Sequence, residues 1–302
     1  MADMTVILNP IAGRGAGQRL SPQISARLAE QGLDFELLST KGPGHASLLA
    51  GEAVERGQPV VVAAGGDGTV NEVLHGMVQA LDGSDRTALG VLPIGTGNDF
   101  AYAAGLPLSL PDACRVIAEG QTRPIDVGRA QAENEDVRYF GNGVGIGFDA
   151  IVNIESRKLQ RLRGFAVYLV AVFRTLAFYY HAPLVELTVD GQEIVQPSMM
   201  LSIMNGRRFG GGFVMTPQAE MDDGLFDICL MGQVPRPSMV GFVPRFMQGT
   251  HITDERVSLS QGRKVRVVSE TPWAAHVDGE VYGLGASRYE MELLRQGLRL
   301  IC

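Results

Sequence analysis

Four short strings carry the residues whose types and spacing suit them for chemistry. Gly65-Gly66-Asp67-Gly68-Thr69 follows the small apolar run 60–64. Where a buried strand ends in glycine and a helix begins, backbone N–H groups can cradle a polyphosphate and the helix terminus favours its charge. Thr69 adds a hydroxyl, and Asn71 follows within one turn. Asp67 is an acid and would not touch phosphate directly, so it suits an indirect contact through Mg²⁺; the plainer role is a cap on the helix beginning near Val70. The string Asn9-Pro10-Ile11-Ala12-Gly13-Arg14-Gly15-Ala16-Gly17 repeats the order of strand, glycine and helix. It lacks the Lys-Ser/Thr pair of a Walker loop. Asn9 can position backbone and Arg14 can meet a phosphate, while an ordinary strand-to-helix turn is the alternative. A third strand ends in Gly95-Thr96-Gly97-Asn98-Asp99, and Thr40 closes another. Last, Asp278-Gly279-Glu280 sets two carboxylates around one glycine. In a tight turn both could serve one site, one holding a metal-bound water while the other takes a proton. An exposed Asp-Gly hairpin tip is the plain alternative.

The elements that must position these strings differ between the two halves of the chain. Up to about residue 130, strand and helix patterns alternate. Apolar runs at 5–8, 35–39, 59–64 and 88–94 are separated by segments with helical spacing, such as Leu20, Ile24 and Leu28, or Val73, Leu74, Met77, Val78 and Leu81. Alternation of this kind implies a mostly parallel sheet covered on both faces, whose strand C-termini share one edge. The three glycine loops therefore converge. From about 131 the pattern is mostly antiparallel β, with Asp190-Gly191, Asp223-Gly224 and Asp278-Gly279 as turns. One long helix is expected over about 154–180 and a shorter one over about 237–248. The expected domains are 1–130 with about 294–302, and 131–293.

The 302 residues fit two domains, and 45% hydrophobic residues suffice for real cores. A net charge of −7 offers no general field for nucleic acid, so no nucleic-acid partner is expected. Cys114, Cys229 and Cys302 form no disulfide or metal pattern, which fits a reducing cytoplasm. The five histidines show no metal spacing; His276 is two residues from Asp278. The N-terminus has no signal-peptide character, and the most apolar stretch, 165–180, is interrupted by Arg174 and falls short of a span of ~20 residues.

The chain resembles the diacylglycerol kinase catalytic-domain family of soluble lipid kinases. The resemblance rests on NPIAG (9–13), GGDGTVNEV (65–73), LPIGTGNDFA (92–101), IDVG (125–128), GNGVGIGFDA (141–150), the string at 205–228 and VDGE (277–280). It implies the α/β nucleotide domain shared with NAD kinases, followed by a mostly antiparallel β-sandwich domain. It implies ATP contacts from Asn9, Pro10, Gly13, Arg14, Thr40, Gly65, Gly66, Asp67, Gly68, Thr69, Asn71 and Thr96. It implies a carboxylate and water network of Asp67, Asp99, Asp126 and Glu280 around a catalytic Mg²⁺, with Asp278 or Glu280 as the general base. It further implies a structural metal held by the Asp223 side chain and the backbone of Glu220 and Leu225, where a plain hairpin Asp-Gly is the alternative.

The expected activity is ATP- and Mg²⁺-dependent phosphorylation of a lipid hydroxyl, on diacylglycerol or a related glycerolipid, with ATP bound in a cleft between the domains. An NAD or sugar-phosphate kinase and a non-catalytic nucleotide or lipid sensor are the competing readings. Arg157, Lys158, Arg161 and Arg163 open the long helix and lead into Phe165, Tyr168, Leu169, Val172 and Phe173. Such a helix can lie transiently against a membrane surface or simply pack on the β domain. A cytoplasmic protein, peripheral at the membrane, is expected. The sequence leaves oligomeric state open, a homodimer included.

Overall fold

The computed structural model describes residues 3–81, 87–159 and 165–302. The chain divides into two compact units, Met1–Val127 with Arg295–Cys302, and Gly128–Leu294.

In the first unit the short apolar runs form β1 (Met4–Leu8), β2 (Phe35–Ser39), β3 (Val60–Gly65) and β4 (Ala88–Pro93), joined by α1 (Ala12–Glu30), α2 (His45–Glu55) and α3 (Asp67–Ala80). The strands pair in parallel in the order β2-β1-β3-β4. Residues 299 and 300 of the chain's last strand add to β4, also in parallel. Side chains alternate across each strand. Val62 and Ala64 of β3 therefore join the core under α1, with Ile24 and Leu28. Val61 and Ala63 are equally buried on the opposite face. After β4 come α4 (Asp99–Ala103), α5 (Leu110–Glu119) and β5 (Thr122–Ala132). The readings above did not include α5, although its start was marked: Ser109 caps it by accepting the Asp112 N–H.

The second unit comprises β6 (Arg138–Phe140), β7 (Gly143–Gly147), α6 (Phe148–Arg157), α7 (Phe165–Phe178), β8 (Leu184–Val189) and β9 (Gln192–Met204). It continues through β10 (Arg208–Phe209), β11 (Phe213–Val214), β12 (Phe226–Gly232), α8 (Arg236–Gln248), β13 (Val257–Gly262), β14 (Lys264–Ser269), β15 (Ala275–Val277), β16 (Glu280–Tyr282) and β17 (Arg288–Ile301). β9 serves two sheets. Residues 192–197 pair with β8, whereas 198–204 pair with β7 and β12, all antiparallel. A strand that changes sheets makes the corner of a β-sandwich. Phe140, Phe226, Leu187, Leu201, Val267 and Tyr289 lie in its core.

The single helix expected over 154–180 is two. α6 starts at Phe148 and closes at Arg157, with Lys158 as its C-cap. α7 begins at Phe165. Arg161 and Arg163 lie outside the described residues, as do the side chains of Phe165 and Tyr168. Among the described residues, no helix is long and apolar enough to cross a membrane.

Candidate active site

The loops leaving β1, β3 and β4 meet. Asn9 donates its side-chain N–H to Thr69 Oγ1 at 2.9 Å, and its own Oδ1 accepts the Ile11 N–H at 3.1 Å. Gly66 and Gly95 allow the other two loops to touch at backbone level. A Cβ on Gly95 would lie 2.6 Å from the Gly66 Cα and 2.7 Å from Asn98 Oδ1. Gly13, Arg14 and Gly15 are all left-handed, so α1 does not run smoothly from the Asn9 turn. Gly65 ends β3, Gly68 and Asn71 belong to the first turns of α3, and Thr96 is exposed at the rim. Thr40 follows β2 and donates its N–H to Leu8 O at 2.9 Å. Glycine backbone and hydroxyls thus line one edge of the sheet, a composition suited to phosphate oxygens. Gly95→Ala should cost about 1–3 kcal/mol, because backbone rather than a side chain must yield. A thermal melt would show it.

Asp67 does not cap its own helix. The N-cap of α3 is Gly66 and no side chain caps it. Instead Asp67 Oδ1 accepts the Phe100 N–H of α4 at 3.1 Å, so the acid joins two of the loops. Asp99 is buried at the start of α4. Asp126 is fully buried on β5 and accepts the Gln296 N–H at 2.7 Å, clasping β5 to β17 where Gln296 is left-handed.

In the second unit, β15 and β16 form a two-residue hairpin at Asp278 (φ 46°) and Gly279 (φ 84°). Positive φ at both positions is what a right-twisting two-residue hairpin requires. The turn does not aim both carboxylates at one site. Asp278 turns back to accept the N–H groups of Gly141, Asn142 and Gly143 at 2.9, 3.0 and 2.7 Å. Glu280 faces Arg157, 2.9 Å away, and its side chain is 44% exposed. Arg157 also donates to Gly279 O at 2.7 Å, and Lys158 pairs with Glu155. The first two cations of the expected membrane-facing run are therefore engaged within the unit. Glu155 is buried, and the Lys158 hydrogen bond, with Arg174 helping, holds its carboxyl below the usual range.

His276 supports the same hairpin. Its Nδ1 accepts the Gly279 N–H at 3.2 Å, which leaves Nε2 to donate to Asp149 Oδ2 at 3.2 Å. Gly145 makes room for this pair, since a Cβ there would stand 2.2 Å from Asp149 Oδ2 and 2.4 Å from His276 Nε2. Asp149 also lines a cavity of about 50 Å³ walled by Met200, Met215, Met231 and Met239 with Phe148, Phe213, Phe242 and Phe246. It is the one charged residue on that wall. Methionine side chains re-pack readily around apolar ligands.

Glu220, Asp223 and Leu225 precede β12. Asp223 Oδ1 accepts the Leu225 N–H at 2.9 Å, an Asx turn. The neighbouring Asp227 has a buried Oδ2 without a partner. Burial, with the charges of Asp223 and Glu220, pushes the Asp227 carboxyl up to about 6. An orphaned acid beside two others fits a cation. Among the described residues, however, no three metal-ligating side chains cluster closely enough to hold one alone, so backbone carbonyls and water would complete the shell. The native state binds the Asp227 proton more tightly than the unfolded chain does. Its stabilising contribution is complete below about pH 4 and is lost as pH rises through about 6. Asp227→Asn should therefore melt above the wild type at pH 7.5 but not at pH 4, and added Mg²⁺ should narrow the gap at pH 7.5. Equal melting temperatures at both pH values would discount the orphan.

Two family models match the chain: the diacylglycerol kinase catalytic domain over residues 3–130 and the YegS C-terminal NAD kinase beta sandwich-like domain over 142–302. A diacylglycerol kinase of Mycobacterium tuberculosis is 33% identical over 266 residues, 87% of this chain and 84% of that one. The chain belongs to the diacylglycerol kinase family. A Bacillus subtilis diacylglycerol kinase is 30% identical over 283 residues, covering 92% and 90%. The fold matches the crystal structure of a diacylglycerol kinase from Bacillus anthracis, with a TM-score of 0.75 at 23% identity over 99% and 96% of the two chains. This chain is accordingly a lipid kinase. Sequence reading did not single out Asp149 or Arg157 as site residues of this kinase. The first stood inside the GFDA string, and the second was read only as part of a basic run.

Proposed function

We propose that this lipid kinase transfers the γ-phosphoryl group of ATP to the hydroxyl of diacylglycerol or a related glycerolipid, with Mg²⁺. The observation that carries the acceptor assignment is the methionine- and phenylalanine-walled cavity of the second unit, whose wall bears a single charge. At about 50 Å³ the cavity must widen by methionine re-packing to admit an acyl chain, and its apolar walls offer little to a nicotinamide nucleotide or a sugar phosphate. The glycine loops of the first unit hold the nucleotide phosphates. Within the first unit Asp67 and Asp99 are the carboxylates that could hold a Mg²⁺ bound with the nucleotide, which would neutralise charge on the phosphates. Asp278 is committed to three backbone N–H groups, so Glu280 is the proton acceptor, steered by Arg157. The acceptor oxygen bonds to the γ-phosphorus, the bond to the bridging oxygen breaks, ADP departs, and the hydroxyl proton passes to Glu280.

The acceptor resides in membranes. Phe178 (74% exposed) and Leu284 (59%), with Phe173 and Tyr179, present apolar surface suited to transient contact with a lipid interface. Purified protein incubated with γ-labelled ATP, Mg²⁺ and mixed micelles of dioleoylglycerol and related glycerolipids should label a lipid. Absence of label in every lipid tested sinks the assignment, and ATP binding without transfer would favour a sensor.

A further inference from the structure

Asp149, in the first turn of α6, stands on the wall of an otherwise apolar cavity, and among the described residues its carboxylate has one hydrogen-bond donor, His276, at Oδ2. His276 is 2% exposed and cannot serve both oxygens, since its other nitrogen is taken by Gly279. The Asp149 side chain is 16% exposed, and an acyl chain entering the cavity would cover it. A carboxylate left in apolar surroundings with one partner is costly, and the cost falls when the ligand brings a second donor. The reacting hydroxyl cannot be that donor, because its single proton goes to Glu280 in the proposed transfer.

We infer that the acceptor is a lipid with a hydrogen-bond donor besides the hydroxyl that is phosphorylated, and that Asp149 reads this second donor. A monoacylglycerol, with two free hydroxyls, belongs to this class; a diacylglycerol does not. His276 is a positioning residue here: it fixes the Asp149 carboxylate from one nitrogen and the turn bearing Glu280 from the other. The inference rests on the lipid-kinase reading and narrows its acceptor.

The test compares 1-monooleoylglycerol with 1,2-dioleoylglycerol in mixed micelles, for the wild type, Asp149→Asn and Asp149→Leu. The wild type should favour the monoacyl lipid in kcat/KM by about tenfold or more, the usual weight of a hydrogen bond to a charged group. Asp149→Asn should erode that preference and Asp149→Leu should abolish or reverse it, each with the KM for ATP unchanged. His276→Gln retains a donor near Nε2, whereas His276→Asn retains an acceptor near Nδ1. The first should keep the monoacylglycerol KM and lose kcat, and the second should raise the KM. A wild type that favours diacylglycerol, or a preference that survives both Asp149 variants, overturns the inference. If neither lipid is phosphorylated, the kinase reading fails separately. Binding read from the only tryptophan, Trp273, which packs against Gly147, then decides. Tighter binding of the monoacyl lipid that is lost in Asp149→Asn upholds the role of Asp149, and equal binding rejects it.

Discussion

Asp278→Ala is expected to destabilise the second unit by about 3–5 kcal/mol, because three backbone N–H groups at Gly141, Asn142 and Gly143 lose the carboxylate that accepts them. Alanine also fits the left-handed conformation at this position less well than aspartate does. Asp278→Asn keeps the conformation and one acceptor oxygen, but turns an NH₂ toward an N–H donor, so an intermediate loss is expected. Thermal melts of the two variants would rank them below the wild type, with Ala lowest by on the order of 10 °C. On the proposed reading, ATP binding should survive in both. If Asp278→Ala melts within a degree of the wild type, the carboxylate is not holding the 141–143 turn and its role as an alternative base returns.

Glu280→Gln should have the opposite profile. The side chain is half exposed and its partner Arg157 sits at the surface, so stability should change by less than about 0.5 kcal/mol. Turnover should fall by about 10²–10⁴-fold, the usual contribution of a positioned proton acceptor. On the proposed mechanism the KM for ATP should change far less than kcat, because the phosphate contacts are assigned to the glycine loops of the first unit. Steady-state kinetics with saturating lipid check this, and a kcat within threefold of the wild type removes Glu280 from the proton transfer. The two variants together separate a carboxylate that shapes the hairpin from one that works at its tip.

The sheet of the first unit was legible because each strand is a short apolar run closed by glycine, and the helices between carry a clear face. The role of Asp67 was less so. Its hydrogen-bond partner, Phe100, belongs to α4, and the packing of Gly66 on Gly95 helps to bring the two together. The same limit applied to the hairpin. Asp278-Gly279 announces a turn by residue type alone, but the amides that absorb Asp278 come from residues 141–143, and local pattern says nothing of such distant partners. The break between α6 and α7 was missed because residues 157–164 carry no proline to end the helical pattern. Asp149 was passed over because an acid beside Phe148 reads locally as a helix start, and its apolar surroundings come from β9, β12 and α8.

The pairing of Arg299 with Ala88 and of Leu300 with Leu89 has a consequence for biosynthesis. As the chain leaves the ribosome, β1 to β4 and their helices emerge early, yet the flank of β4 has no neighbour until residue 300 has been made. The whole second unit is translated in the meantime. During that interval a strand of buried apolar residues offers open backbone to any passing partner, including another nascent copy. Slower translation across residues 128–294, or loss of chaperones that shield the β4 edge, should therefore lower the yield of folded protein.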